Sequence, residues 1–391
     1  MLKDMIIMRL RNMSLPIFAE YIKDKEIICF GAGKLLHKVC KLAFLEPYVK
    51  AVVDNDPKKY GKILMCEGQS FKVVPWGELP KLSFSLEKTV VLISAGISGA
   101  GHELYESLLK QGTLDELECF FLSFIFAEPE SNETIGHPLD FRLTPKPLIP
   151  KYIHYCWFGK AEIPEEQQRF IAGWKDKCPD FEIIRWDESN YDVKKNPYMR
   201  KAYEEGRWGF VPDYARKDII YQYGGVYLDT DVEVIRNLGE LLYQKGFAGV
   251  QMDKRINLGL GFGGMPGLDI MAEMCDVYKK TEFVFSDGMK MKVGPDYETE
   301  VMKAHGYEDG KALQTVADLT IYPVEVMSGT LPFSGKALIT DNTFCVHHYA
   351  GSWTVGKRRE NNQKMANFYR TVVQAEIENE LMMKHVNKIV R

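Results

Sequence analysis

Three absences narrow what this 391-residue chain can be. No apolar run approaches the ~18–20 residues that span a bilayer, and charges interrupt residues 1–13, unlike the apolar core of a signal peptide. The eight cysteines form no C-x-x-C pair, which favours free thiols in a reducing compartment. The formal net charge of -4 argues against nucleic acid as the main partner, because phosphate backbones bind basic surfaces. We therefore expect a soluble, cytoplasmic protein.

The sequence contains material for two α/β domains. A hydrophobic content of 46% is ample for packed cores, and the length predicts domains of roughly 100–200 residues. In residues 1–126, short apolar strands alternate with helices, which predicts a Rossmann-like domain with a parallel sheet. Residues 127–149 are rich in prolines and acids and predict an interdomain linker. Residues 150–391 predict a second α/β domain that ends in a helix from about Glu360.

A glycine turn near the N-terminus is similar to part of a dinucleotide-binding motif. Gly31 and Gly33 follow a short apolar strand, and Asp54 lies about 20 residues further on, where a ribose-binding acid is expected. Leu36 stands where the third glycine of the motif would be, which weakens the match. We interpret this domain as an accessory module, and whether it binds a nucleotide or nothing stays open.

The most informative stretch is GGVYLDTDVEV, residues 224–234. It predicts a strand after a helix, and alternate side chains of a strand share a face, so Asp229 and Asp231 are expected to point the same way. Two carboxylates on one face form part of a shell for a hard divalent cation. On the preceding helix, Asp213 and Arg216 lie three residues apart and would face the same crevice. The alternative is a surface ion pair beside two solvated carboxylates.

Three motifs in order, IPKYIHYCWFG, DYARKDIIYQYGGVYLDTDVEV and HHYAGSW, make residues 150–353 similar to the D-x-D glycosyltransferases of family 32. That family contains fungal initiating mannosyltransferases and bacterial capsule and surface-polysaccharide enzymes, and is distantly similar to clostridial glucosylating toxins. The resemblance implies a GT-A fold, a nucleotide-sugar donor, Mn²⁺ or Mg²⁺, and retention of the anomeric configuration. It also implies that Asp213 and Arg216 contact the donor's sugar hydroxyls and phosphate, and that Asp229 and Asp231 bind the catalytic metal.

The resemblance assigns further residues to the donor. Trp157 matches an aromatic side chain that stacks on the base, although an aromatic closing a strand is also common in cores. Tyr227 matches a position near the ribose. Ser352 and Trp353 match a C-terminal loop that closes over the diphosphate. Asn257 begins a glycine-rich run that would line the sugar pocket, because glycine allows close backbone approach to a ligand, or would form an ordinary crowded strand.

Two other groups of polar residues are candidates for roles at the same site. His348 is the first choice to add an imidazole to the metal site and His347 the second, and an imidazole would favour Mn²⁺. The alternative is one core histidine and one exposed histidine. Asp296 and Glu298 lie near a helix start and are expected to cap that helix rather than act as catalytic acids.

Together these patterns predict a metal-dependent, retaining glycosyltransferase. It would move a hexose from a nucleotide-sugar, a UDP-sugar by preference, to a glycan or lipid-linked acceptor in surface-polysaccharide biosynthesis. The basic segment from Lys357 onward is expected to be a solvated helix, with peripheral contact to the inner membrane face as the alternative. Two rival hypotheses remain: an NAD(P)-dependent oxidoreductase acting through the N-terminal half, and a non-catalytic protein that binds nucleotide-sugars or glycans.

Overall fold

The computed structural model divides the chain into two compact units. The first comprises Met1–Ser131 with Val355–Arg391, and the second comprises Asn132–Thr354. The residues that the structure describes are 9–13, 15–33, 35–37, 45–66, 69–81, 85, 88–95, 100–111, 117–125, 136–285, 292–309, 311, 313–330, 338–351, 360, 364 and 367–368.

The described strands of the first unit form one sheet with the order β1-β7-β6-β2-β3-β5-β4. These strands are β1 (Arg9–Arg11), β2 (Glu26–Phe30), β3 (Val49–Asp54), β4 (Ile63–Cys66), β5 (Gln69–Pro75), β6 (Thr89–Ile93) and β7 (Glu118–Phe121), and the helices are α1 (Leu15–Tyr21), α2 (Ala100–Gln111) and α3 (Leu122–Ile125). All pairs are parallel except β4 with β5. The central strands β2 and β6 are almost entirely buried, as parallel strands covered on both faces are. The predicted Rossmann-like parallel sheet is confirmed.

The second unit contains a mixed sheet, also of seven strands, with the strand order β14-β15-β12-β13-β10-β8-β9. Its strands are β8 (Tyr152–Cys156), β9 (Glu182–Trp186), β10 (Gly225–Tyr227), β12 (Gly246–Gly249), β13 (Phe262–Gly264), β14 (Gln314–Val316) and β15 (Leu319–Tyr322). A separate antiparallel pair joins β11 (Val232–Val234) to β16 (Cys345–His347). Strands β8, β9 and β10 run parallel, whereas β13 is antiparallel to both of its neighbours. The α/β class predicted for this half is therefore confirmed.

The helices of the second unit pack around these strands. They are α4 (Glu165–Lys177), α5 (Pro197–Glu204), α6 (Pro212–Tyr223), α7 (Asp269–Lys280), α8 (Gly294–Ala304) and α9 (Val324–Met327). Helix α6 begins with Pro212, which suits a first helical position, and Gly224 closes it with φ at 65°. A Cβ atom on Gly224 would lie 2.7 Å from Cδ of Pro266, so both the backbone angle and the space require glycine here.

The structure differs from the sequence prediction at both ends of the second domain. Residues 136–149, expected to belong to a linker, are part of the second unit: Phe141 and Ile149 are buried, and the Leu148 N–H donates to the Leu242 carbonyl at 2.9 Å. At the other end, residues from 355 onward group with the first unit, where the Phe368 ring contacts Tyr105. Most of the expected C-terminal helix lies outside the described residues. The proline-rich composition of residues 136–149 suggested a linker. Two of their apolar side chains are nevertheless buried, because they contact residues far away in sequence, which composition does not reveal.

Among the helices that the structure describes, none combines the length and the apolar character needed to cross a membrane.

Candidate functional site

The two D-x-D carboxylates lie in a turn and not in a strand. Strand β10 ends at Tyr227 and β11 begins at Val232, whose N–H donates to the Asp229 carbonyl at 3.1 Å. The expectation of a continuous strand with alternating side chains is therefore wrong. The turn nevertheless brings the carboxylates of Asp229 and Asp231 together, because it folds the chain back on itself between the two sheets of this unit.

A buried histidine fixes the junction between α6 and β10, the strand that leads into this turn. His154 on β8 accepts a hydrogen bond at Nδ1 from the Trp186 indole N–H at 3.1 Å, so the proton of the neutral ring is assigned to Nε2. Nε2 then donates to the Gly224 carbonyl at 2.9 Å. Burial lowers the pKa of His154 to about 4, which keeps the ring neutral near pH 7. This histidine therefore anchors the junction between α6 and β10 from the neighbouring strand.

Helix α6 carries charged residues on a buried surface, and such groups require partners. Residues 213–220 are all buried. Arg216 finds its partners by donating to Oδ1 of Asp213 and to Oδ2 of Asp229, each at 3.3 Å. Burial raises the pKa of Asp213 to about 6, although Arg216 acts in the opposite direction. The guanidinium thus connects the helix to the D-x-D turn, as the sequence predicted for this pair.

Negative charge exceeds positive charge in this cluster. Asp213, Asp229 and Asp231 provide three carboxylates against the single guanidinium of Arg216. Burial and the nearby Asp231 raise the pKa of Asp229, while Arg216 opposes the shift. A carboxylate that is costly to ionise in the free protein gains most from a bound cation, so the electrostatics of the site suit one.

Three side chains form a group able to hold a metal ion. Asp229, Asp231 and His347 each offer one ligand atom, and these atoms all lie within 4.8 Å of one another. His347 reaches the group because β16 pairs with β11, and its Nε2 lies 3.4 Å from Oδ1 of Asp231. Two carboxylates with one imidazole fit Mn²⁺ or Mg²⁺, with waters and phosphate oxygens completing the shell.

His348, the first choice from the sequence, lies elsewhere. Its Nε2 is 3.0 Å from Oε2 of Glu233, and its ring stacks on Phe170 with centroids 4.4 Å apart. Because successive side chains along an extended chain point to opposite faces, only one member of the pair can face the turn. The structure places His347 there, which corrects the ranking of the two histidines.

Tyr227, which the resemblance places near a ribose, is buried against the D-x-D turn. The side chain is only 1% exposed, and its hydroxyl donates to Oδ1 of Asp229 at 3.1 Å. The Arg216 guanidinium lies over the ring, 5.2 Å from its centroid. Tyr227 therefore supports the first D-x-D carboxylate, and its position near the ribose of a donor stays a prediction.

Two further residues predicted to contact the donor form hydrogen bonds within the protein. Trp157 is half-buried just beyond β8, and its indole N–H donates to the Ala161 carbonyl at 2.7 Å. Asn257 caps a short 3-10 helix, where its Oδ1 accepts the Gly259 N–H at 2.8 Å. Base stacking by Trp157 and sugar contact by Asn257 stay predictions. Ser352 and Trp353 lie outside the described residues.

The structure adds one glycine that the sequence did not single out. A Cβ atom on Gly259 would lie 2.6 Å from Oδ2 of Asp229 and 3.1 Å from Nη1 of Arg216. A distance of 2.6 Å is shorter than real Cβ contacts, so a larger residue would have to displace the Asp229 carboxylate, and the backbone at residue 259 forms a close wall of the site. The glycine-rich run containing it signalled close approach, but not which glycine or which partner.

In the first unit, the predicted nucleotide-binding acid is committed to its own loop. Asp54 accepts hydrogen bonds from the backbone N–H groups of Ala32, at 2.6 Å, and Asp56, at 2.9 Å, and from Lys59 Nζ at 2.7 Å. Gly31, with φ at 113°, makes the turn, while the surroundings of Gly33 are open. These contacts explain Asp54 as a structural residue of the turn.

A cavity of about 340 Å³ lies in the second unit and contains none of the predicted site residues. It is lined by Gly136, Pro138, Leu139, Asp140, Phe141, Arg142, Arg236, Glu240, Asp341 and Asn342. The Arg236 guanidinium in its wall already donates to the Asp341 carbonyl and pairs with Glu240. None of the residues singled out from the sequence lines this cavity, and it contains no group of metal-binding side chains among the described residues.

Comparisons with known proteins agree with the site. Residues 164–248 match a family model described as a glycosyltransferase sugar-binding region containing a DXD motif. The chain is 36% identical over 99 residues to inositol phosphoceramide mannosyltransferase 3 of Schizosaccharomyces pombe, covering 24% of this chain and 28% of that protein. It is also 36% identical over 103 residues to the mannosyl phosphorylinositol ceramide synthase of Saccharomyces cerevisiae, covering 25% of this chain and 27% of that protein.

The chain thus spans less than a third of the length of these curated relatives. Among solved structures, it is similar to the PaToxG glycosyltransferase, with 18% identity, a TM-score of 0.34, and coverage of 42% of this chain and 73% of that one. By the family match, residues 164–248 of the second unit carry a glycosyltransferase region of the D-x-D type, and the family-32 resemblance is confirmed over that region, which contains Asp213, Arg216, Asp229 and Asp231.

Proposed function

We propose that this chain is a metal-dependent, retaining glycosyltransferase that moves a hexose from a nucleotide-sugar to a glycan or lipid-linked acceptor. The observation that supports this most is the position of Arg216 between Asp213 and Asp229, where Asp229 also belongs to the group of possible metal ligands with Asp231 and His347. A donor's leaving diphosphate is polyanionic, so its departure requires positive charge aligned with it.

The residues of the site have separable roles in this proposal. The Arg216 fork would contact a phosphate oxygen, and the Asp213 carboxylate would accept a hydrogen bond from a sugar hydroxyl. With a pKa of about 6, Asp213 is mostly ionised at pH 7 and able to do so. Asp229, Asp231 and His347 would hold Mn²⁺ or Mg²⁺, which supplies a Lewis acid for the diphosphate when bound. The close backbone at Gly259 would limit the space left for the sugar.

The substrates are proposed from chemistry and from the names of the relatives. Two relatives are named as mannosyl-transferring enzymes of inositol phosphoceramide, so mannose is the first hexose to test and a lipid-linked acceptor the first class. The sequence resemblance favours a UDP-sugar and surface-polysaccharide biosynthesis. Action at the cytoplasmic membrane face, by peripheral association, would bring the chain to such an acceptor.

Hydrolysis of candidate donors without acceptor tests the proposal. The full chain is incubated with UDP- and GDP-linked hexoses and either Mn²⁺, Mg²⁺ or a chelator, and release of the nucleoside diphosphate is measured. We expect slow release from one donor, in the presence of a metal and not with the chelator. Release that persists unchanged in the chelator, or no release and no binding of any donor, would contradict the proposal. The anomeric form of the transferred sugar, read by NMR, tests retention.

A further inference from the structure

The second unit contains an ion pair that is completely withdrawn from solvent. Lys217 on α6 lies 2.8 Å from Oε1 of Glu298 on α8, with side-chain exposures of 0% and 1%. The lysine also donates to the Asp213 carbonyl at 2.7 Å and lies over the Tyr278 ring, 4.7 Å from its centroid. Such a pair seldom adds net stability, because removing two charges from water offsets their attraction. We therefore ask which segments of the protein the Lys217–Glu298 pair connects.

The glutamate connects α8 to the wall of the site. Its Oε2 accepts the Leu258 N–H at 2.9 Å, and the adjacent Thr299 hydroxyl accepts the Ile256 N–H at 3.0 Å. Two successive side chains of α8 thus hold the backbone that leads directly into Gly259. Gly259 in turn lies against Asp229 and Arg216.

The lysine connects the same pair to the sugar-binding side of the site. Its bond to the Asp213 carbonyl lies in the first turn of α6, one turn before Lys217 itself. Gly294, the first residue of α8, is close to both carboxylates: a Cβ there would lie 3.2 Å from Oδ1 of Asp213 and 3.3 Å from Oε1 of Glu298. A continuous chain of contacts therefore runs from Asp213 through Lys217 and Glu298 to the backbone at Leu258.

We propose that Lys217 and Glu298 are positioning residues for sugar transfer, which set the distance between the Asp213–Arg216 pair and the Gly259 wall. This inference rests on the proposed function. Neither side chain forms a hydrogen bond or ion pair with the D-x-D carboxylates, so their effect on the site passes through the Asp213 backbone and the Gly259 wall. We expect this effect to fall mainly on turnover rather than on diphosphate affinity. The sequence suggested only helix capping for Glu298, a role that the structure gives to Asp296, whose Oδ2 accepts the Val293 N–H at 3.0 Å.

The test uses a neutral double variant, Lys217→Met with Glu298→Gln. Single variants would leave one charge buried without a partner and are expected to unfold readily, whereas neutral replacement of both charges is often tolerated. Glutamine keeps an acceptor for Leu258, but methionine cannot donate to the Asp213 carbonyl. We expect folding and UDP affinity to be retained, while kcat for donor hydrolysis falls by on the order of 10- to 100-fold. The matched control is Glu300→Gln on the same helix, whose partner Lys292 is exposed, and which should leave kcat unchanged.

Amide hydrogen exchange gives a readout that does not depend on activity. In the double variant, exchange across residues 256–260 should accelerate relative to wild type, whereas exchange in α4, a described helix that forms no hydrogen bond or ion pair with Lys217 or Glu298, should be unaffected. Wild-type kcat with wild-type exchange would overturn the inference. So would a double variant that fails to fold, or one in which kcat and UDP affinity fall together with thermal stability, because the pair would then be purely structural. If wild type binds no donor but the exchange result holds, the proposed function fails and the positional coupling stands.

Discussion

The two units each place an aspartate near the end of a strand and beside a glycine-containing segment, yet the pKa values of the two aspartates are shifted in opposite directions. At Asp54, burial acts to raise the pKa, but hydrogen bonds from Lys59 and from two backbone N–H groups outweigh it, so the pKa is lowered. At Asp229, burial and the charge of Asp231 raise the pKa despite the nearby Arg216. In the first unit, hydrogen bonds and Lys59 outweigh the cost of burying the Asp54 charge. In the second unit, Arg216 does not outweigh the cost of burying the Asp229 charge beside Asp231. Of these two carboxylates, Asp229 is the one that a bound cation would stabilise more.

The largest expected difference between the two turns is in turnover. Asp231→Asn keeps the side-chain size but removes a metal-binding charge, so donor hydrolysis should fall by on the order of 10³-fold. Asp54→Asn, the matched change in the first unit, should leave turnover within about twofold, since Asp54 serves its own loop. Steady-state kinetics with saturating Mn²⁺ check both. Equal losses in the two variants would mean that the N-terminal turn takes part in catalysis.

A second difference concerns the glycines. Gly259→Ala would bring a Cβ within 2.6 Å of Oδ2 of Asp229, and displacement of that carboxylate should lower kcat/KM by on the order of 100-fold. Gly33→Ala meets no atom within 4 Å and should have no kinetic effect. The two variants should be compared at equal thermal stability. Wild-type kinetics in Gly259→Ala would show that the backbone there is not a wall of the site.

The two adjacent histidines allow a smaller effect to be measured within the site itself. His347 belongs to the group with Asp229 and Asp231, whereas His348 contacts Glu233. His347→Ala should weaken Mn²⁺ binding by about 10- to 100-fold, and His348→Ala by less than about threefold. Titration of Mn²⁺ followed by electron paramagnetic resonance measures both. The reverse order would restore His348 as the ligand.

The smallest effect, on stability, should have opposite signs in the two units. In the folded protein the pKa of Asp213 is raised to about 6, so as pH rises Asp213 loses its proton in the unfolded chain before it does so in the folded one. The free energy of unfolding therefore falls as pH rises from about 4 to about 6. Asp213→Asn removes this loss and should raise Tm at pH 7. The lowered pKa of Asp54 adds stability above its unfolded value, which is lost as pH falls through the folded value. Asp54→Asn should therefore lower Tm at pH 7. Shifts of about 2–4 °C are expected by calorimetry in a chelator. Shifts of the same sign would contradict the comparison.

Sequence reasoning succeeded where local patterns decide structure. The short apolar strand expected before Gly31 is present as Glu26–Phe30, and the helix expected before the GGVYLDTDVEV stretch is present as Pro212–Tyr223, because apolar periodicity and Pro or Gly boundaries are local signals. The pairing of Asp213 with Arg216 followed from helical spacing.

Sequence reasoning failed where the position of a residue depends on contacts with residues distant in the chain. His347 reaches the metal group through a strand pair that joins residues 232–234 to 345–347, and no local pattern specifies that register. Lys217 reads as an ordinary surface lysine until α8 is placed beside it. Phe141 is in a proline-rich stretch, yet its ring packs edge-on against Phe344 at 4.8 Å. In each case the partner lies about 80 residues or more away in sequence.

The central claim is that Asp229 and Asp231 hold a dication that in turn binds a nucleoside diphosphate. Calorimetric titration of UDP into chelator-stripped protein, with and without Mn²⁺, tests it most directly, with Asp229→Asn/Asp231→Asn as the comparison. The account predicts UDP binding by wild type only when Mn²⁺ is present, and none by the double variant under either condition. Binding of equal affinity without the metal, or by the double variant, would contradict it.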